Sequence, residues 1–258
     1  MHPYQTALLV FAIGLVVGSF LNVCIYRLPR HESVVWPGSH CPHCGAPIRP
    51  YDNIPLLSYA LLRGRCRSCK QPISWRYPAV ELITGMLFLS LYLQFGLSLT
   101  FFRYLFLGCA LIVGTFIDLE HQLLLDVITL PTLVVGVLSA FLAGVGPGLH
   151  AVLGAAAGGG TIYAIAVFGK TIFGQDSIGG GDLKLAAAIG AYMGWSAVLG
   201  MILLSFFLAA PVAAVGIASG RMRVASRVPF GPFITVATLL VLFWGPQLWH
   251  AYVRLVTA

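Results

Sequence analysis

From Tyr4 to Tyr26 the chain carries no charged residue. Such a stretch is long enough to cross a hydrocarbon layer of about 30 Å at about 1.5 Å per helical residue. Similar apolar runs recur near 79–95, 101–117, 123–143, 149–169, 183–193, 196–219 and 231–256. The run at 101–117 stops at an acidic residue and the run at 183–193 is short, yet each reads as a helix. The pattern predicts an all-α polytopic membrane protein with about eight transmembrane helices. Residues 27–78 break it, being Pro-rich, Cys- and Arg-containing and without a span. They are predicted to form a small cytoplasmic insertion, which divides the chain into a first helix (1–26), a loop domain (27–78) and a transmembrane bundle (79–258). A cleavable signal peptide would open on basic residues, carry a shorter apolar core and end in a small-residue site. The first run has none of these clearly, so it is expected to remain as a helix. No internal repeat suggests a transporter of duplicated halves.

Composition sharpens this. Of 258 residues, 59% are hydrophobic and 9% charged, against about 25% charged in soluble domains. Low hydrophobicity, which disorder requires, is missing, and six cysteines are too dilute for a secreted disulfide scaffold. The net charge of +7 raises nucleic acid as a partner, but the basic residues form no continuous stripe interleaved with aromatics. No nucleic-acid partner is expected; membrane lipid is. With an outside N-terminus, all but Arg103 and Arg254 of the fifteen Lys and Arg fall on the cytoplasmic side, as the positive-inside rule favours.

Within the insertion, Cys41-Pro42-His43-Cys44 and Cys66-Arg67-Ser68-Cys69 are two C-x-x-C pairs separated by 21 residues. Each precedes a tight turn, in the manner of the knuckles of a zinc ribbon. Four thiolates saturate a tetrahedral zinc and leave no place for water, so Cys41, Cys44, Cys66 and Cys69 are expected to hold a structural zinc. The alternative is two disulfides or free thiols; a loop flanked by basic residues faces a reducing cytosol, which disfavours disulfides. Cys24 and Cys109 lie in apolar runs and read as small core residues. The small-residue stretch from Gly154 to Gly160 reads as a place of close helix approach.

There are only eight Asp and Glu, and ionisable residues at spans are candidates for function. Asp118 ends the third apolar run, and Asp182 opens the sixth after Gly179, Gly180 and Gly181. On the predicted topology both lie at the cytoplasmic edge of the bilayer. Two carboxylates at one depth can share a proton, one taking a proton from water while the other donates to a scissile carbonyl. The glycines would let the backbone approach an extended peptide and leave regular helix. The alternative is that each Asp marks a helix end, which accounts for Asp182 at a helix start and poorly for Asp118.

Five ordered stretches resemble the bacterial type 4 prepilin peptidases: Gly18-Ser19-Phe20-Leu21-Asn22 through Pro29, the paired C-x-x-C loop, Arg76-Tyr77-Pro78-Ala79-Val80-Glu81, Ile117-Asp118-Leu119, and Gly179-Gly180-Gly181-Asp182-Leu183-Lys184-Leu185. The resemblance covers essentially the whole chain. It implies an inner-membrane aspartic endopeptidase, active at the cytoplasmic face. Such enzymes remove the basic leader from type IV prepilins or type II secretion pseudopilins after a glycine. They then N-methylate the new N-terminus with S-adenosylmethionine. It places the catalytic aspartates on Asp118 and Asp182, in a Gly-x-Gly-Asp pattern shared with intramembrane aspartyl proteases. The family usually has Leu-Pro-Asp after the first aspartate; here the chain reads Leu124-Leu125-Asp126, which should loosen the local turn. Asp126 reads as a positioning or structural residue. Glu81, Glu120 and Asp126 are candidates for receiving basic leader side chains, pairing of Glu81 with Arg76 being the alternative. No Gly-rich nucleotide-binding unit is legible, so the methyltransferase half rests on the resemblance alone. Two other readings compete: an intramembrane aspartyl protease without methyl transfer, and a zinc-dependent scaffold or transporter whose aspartates carry ions.

Overall fold

The computed structural model describes residues 3–173, 179–220 and 229–257. Among them are nine α-helices: α1 (Pro3–Arg27), α2 (Leu57–Leu61), α3 (Arg76–Phe95), α4 (Leu99–His121), α5 (Asp126–Leu142), α6 (Val145–Phe173), α7 (Gly180–Met193), α8 (Trp195–Ala218) and α9 (Gly231–Thr257). Every predicted apolar run is helical. Six helices are long and apolar enough to cross a membrane, α5 is a shorter apolar helix, and α7 has 14 residues. Large apolar side chains such as Leu8, Leu153 and Phe207 lie exposed on the long helices, as expected of a multi-pass membrane protein whose outer solvent is lipid. The chain forms two compact units, Met1–Val113 and Gly114–Ala258.

In the first unit, α1 packs on α3 through small residues. A Cβ on Gly14 would lie 2.8 Å from the Cα of Gly85, and one on Gly18 2.7 Å from the Cα of Glu81. Without a hydrophobic drive between membrane helices, such close backbone approach is a main source of association. Asn22 adds a bond to the Tyr77 carbonyl at 3.1 Å, so Gly18 and Asn22 form one seam. Arg27 is buried and donates to the carbonyls of Ser33 at 2.8 Å and Gly38 at 3.2 Å. A basic residue at a helix end thus organises the start of the loop.

In the second unit, α7 is enclosed by α5, α6, α8 and α9, with Leu185, Ala186 and Ala188–Tyr192 buried. The small-residue stretch on α6 serves the expected purpose. Cβ atoms on Gly154 and Gly158 would collide with the carbonyl oxygens of Gly190 and Ala186, and one on Gly136 of α5 would lie 2.6 Å from the Tyr192 ring. Buried Thr132, Ser205 and Thr238 satisfy their hydroxyls on carbonyls of their own helices, as polar groups in an apolar bundle must. Between α4 and α9 runs a direct bond, Thr115 Oγ1 to Thr235 Oγ1 at 2.8 Å.

Candidate active site and cysteine cluster

Asp118 lies in the last turn of α4, where it is 6% exposed. Its Oδ2 accepts the backbone N–H of Gly231, the first residue of α9, at 2.8 Å in a buried bond. A helix start leaves N–H groups without intrahelical partners and carries partial positive charge; Asp118 therefore caps α9 from a different helix. The capping explanation that failed for Asp118 on its own helix holds across the bundle. A Cβ on Gly231 would fall 2.8 Å from Asp118 Oδ2, so a side chain there would crowd the carboxylate.

Asp182 sits in the first turn of α7, and its Oδ2 accepts the N–H of Gly179, the residue before the helix, at 3.3 Å. Burial, and after it the charge of Asp118, pushes the Asp182 carboxyl up to about 6. Of the three glycines, only Gly179 precedes the helix; Gly180 and Gly181 already belong to α7, a correction to the expectation that all three leave regular helix. Their roles differ. A Cβ on Gly181 would meet Leu124 Cβ at 2.6 Å, whereas Gly180 faces open space. Gly181 is a packing residue between the start of α7 and the segment after α4.

That segment ends at Leu125, which takes φ −78°, ψ 137° before α5 begins at Asp126. This is the backbone conformation a proline would impose, so the Leu-Leu-Asp sequence keeps the geometry of Leu-Pro-Asp. Asp126 does not stand alone: Lys184 Nζ lies 2.6 Å and 2.7 Å from its two carboxylate oxygens. The ion pair joins the first turn of α5 to the helix that carries Asp182. Glu120 is exposed at the end of α4. Glu81 belongs to the other unit, is buried, and its Oε2 accepts the Leu56 N–H at 2.8 Å. It tethers the loop to α3.

The four cysteines come together as the spacing predicts. Their sulfurs all lie within 4.8 Å of one another, and Cys41 and Cys69 are 3.9 Å apart. About 2.3 Å from metal to sulfur in a tetrahedron puts sulfurs about 3.8 Å apart, so the cluster fits a metal held by four thiolates. No two cysteines are disulfide-bonded. The two knuckles match in detail. Gly45 N–H bonds to the Cys41 carbonyl and Lys70 N–H to that of Cys66, and both Gly45 (φ 69°) and Lys70 (φ 61°) are left-handed. Backbone N–H groups of Cys69 and Ser68 bring the Cys66 thiol down to about 6, into the range where thiolate forms readily. Arg67, inside the second knuckle, clasps Asp52 with three N–H···O contacts of 2.6–3.1 Å, and this holds the Asp52 carboxyl below its usual range.

Residues 12–95 match the bacterial Peptidase A24 N-terminal domain, and residues 105–214 match the type IV leader peptidase family. A prepilin leader peptidase/N-methyltransferase from Aeromonas hydrophila is 38% identical over 97% of this chain and 94% of its own length. Proteins of the same name from Pseudomonas aeruginosa and Burkholderia pseudomallei are 34% and 40% identical, over 98% and 92% of this chain and 95% and 85% of theirs. No solved structure gives a significant match.

Proposed function

The chain belongs to the type IV leader peptidase family, and we propose that it removes the basic leader of a prepilin or pseudopilin and methylates the new N-terminus. Both activities carry over from the relatives' name. Asp118 and Asp182 are the catalytic pair, and the observation that carries this is that the start of α7, which bears Asp182, packs through Gly181 on Leu124, in the segment that follows Asp118. Two carboxyl groups so placed hold one proton between them. The ionised member takes a proton from water while the neutral one gives its proton to the scissile carbonyl oxygen, and the hydroxide adds to the carbonyl carbon. The gem-diol then collapses: the proton taken from water passes to the leaving nitrogen, the C–N bond breaks, and a diol proton returns to the second carboxylate. The pair is thereby restored to its starting state.

The protein lies in the bacterial inner membrane with the pair at the cytoplasmic face, where the leader's basic residues are retained. Glu120 and the Asp126–Lys184 pair lie on that approach. Cys41, Cys44, Cys66 and Cys69 hold a structural zinc that supplies folding energy to the loop and takes no part in peptide cleavage. S-adenosylmethionine supplies the methyl group. The test is incubation of the purified protein with a prepilin, with and without methyl donor, following leader loss and N-methylation by mass. Asp118→Asn and Asp182→Asn should each lower cleavage by several orders of magnitude, about what loss of an acid–base group costs. A folded Asn variant that cleaves at near wild-type rate overturns the assignment.

A further inference from the structure

We propose that Gly231 is a positioning residue of the peptidase, whose N–H makes Asp118 the ionised, water-activating carboxylate and leaves the shared proton on Asp182. The inference rests on the aspartate pair proposed above and adds a division of labour to it.

The two aspartates are held by unequal bonds. Asp118 Oδ2 lies 2.8 Å from the Gly231 nitrogen, in a buried contact. Asp182 Oδ2 lies 3.3 Å from the Gly179 nitrogen, in an exposed one. Bonds from N–H to an ionised carboxylate are short, near 2.7–2.9 Å in general, and a bond of given length counts for more where water is excluded. The donor is also the start of α9, which runs from Gly231 to a kink at Trp244 and whose N-terminal partial charge favours an anion in contact with it. Among the described residues, the helices packed around this contact carry few other titratable groups. The first titratable residue of α9 is His250, and α8 has none. From α7 come Asp182 and Lys184, from α5 Asp126, and Asp126 and Lys184 are paired with one another. Glu120 and His121, on α4 itself, are exposed.

The contact is also fixed in place. One turn before Asp118 on α4, Thr115 bonds one turn into α9, to Thr235. Two bonds a turn apart therefore set the end of α4 against the start of α9. The absent side chain at 231 leaves room for the carboxylate, and Pro232 follows, as suits the first turn of a helix.

The experiment measures kcat and KM for leader cleavage against pH in wild type, Gly231→Ala and Gly231→Pro, each as the full chain in detergent. Alanine keeps the N–H but crowds the carboxylate; proline, tolerated at a helix start, also removes the donor. The expected result is an acid limb of the kcat profile moved to higher pH by about one to two units in the proline variant. The alanine variant should move less, with KM within about twofold in both, because the substrate is not touched. A lowered kcat with an unmoved acid limb in the alanine variant overturns the proposal, and that variant suffices if the proline one melts before assay. Equal shifts in the two also overturn it, since the N–H would then be immaterial. Failure of the aspartate pair itself would show separately, as retained cleavage in Asp118→Asn.

Discussion

Glycine 154 offers a test in which the sign of the effect is decided by packing. A Cβ there would fall on the Gly190 carbonyl oxygen, 2.8 Å from its carbon and 2.9 Å from the Cα of Gly194. Neither neighbour is a side chain that can swing aside, so α6 and α7 would have to separate. Overpacking of this kind costs about 1–3 kcal/mol, while alanine in place of glycine within a helix gains up to about 1 kcal/mol. Gly154→Ala is therefore destabilising, by up to about 3 kcal/mol. The control is Gly160, on the same helix, where a Cβ meets nothing within 4 Å. Gly160→Ala keeps the gain without the clash and is stabilising by up to about 1 kcal/mol. At about 2–4 °C per kcal/mol, thermal unfolding in detergent should separate the two variants by several degrees, on opposite sides of wild type. Leader cleavage gives a second reading. A separated α7 carries Asp182 away from Asp118, and a displacement of about 1 Å costs about a hundredfold, whereas Gly160→Ala should cleave normally. Equal shifts in the same direction for the two variants would refute the close-packed seam.

Three further outcomes are expected. Replacing Cys66 with Ser should abolish stoichiometric zinc in metal analysis and loosen residues 27–78 to limited proteolysis, while less than about half an equivalent in wild type would count against the zinc assignment. Asp126→Lys and Lys184→Asp should each impair cleavage, the first chiefly through KM and less so at high salt. The double charge swap should recover most of the loss, and a coupling free energy of zero in that cycle removes the pair from the account. Leu125→Pro should raise stability by about 0.4–1 kcal/mol, because the native φ of −78° already suits proline and only the unfolded chain loses freedom; a lower melting temperature would show that this turn needs the Leu125 N–H.

What was legible in the sequence was whatever has a local signature. Apolar runs became helices, paired C-x-x-C became one thiol cluster, and Gly154 and Gly158 became a crossing point. Asp118 and Asp182 were singled out because acidic residues are rare in such a chain. Contacts across the bundle were not legible. Glu81 was singled out as a candidate receptor for basic side chains; that its carboxylate also holds Leu56 is announced by nothing local in either residue. Lys184 passed as part of a motif until its partner Asp126 appeared on another helix. For Gly231 a signal did exist. Pro229-Phe230-Gly231-Pro232 reads as a helix start, and a helix start seeks an anion; what sequence cannot supply is which of eight acidic residues fills the place.

The brevity of α7 bears on how the enzyme is made. Its 14 residues reach about 21 Å, short of the roughly 30 Å hydrocarbon layer, and it opens with Asp182 and Lys184, residues the insertion machinery disfavours in lipid. A segment read one at a time by the translocon has little reason to enter the bilayer as α7 alone. Its buried face belongs to α5, α6 and α8, not to lipid, so it enters as the second arm of a hairpin with α6, whose glycine seam receives it. Until that hairpin closes, the nascent chain holds Asp118 without Asp182 in place. On the proposed assignment of Asp118 and Asp182, proteolytic competence therefore waits on the closure of that hairpin.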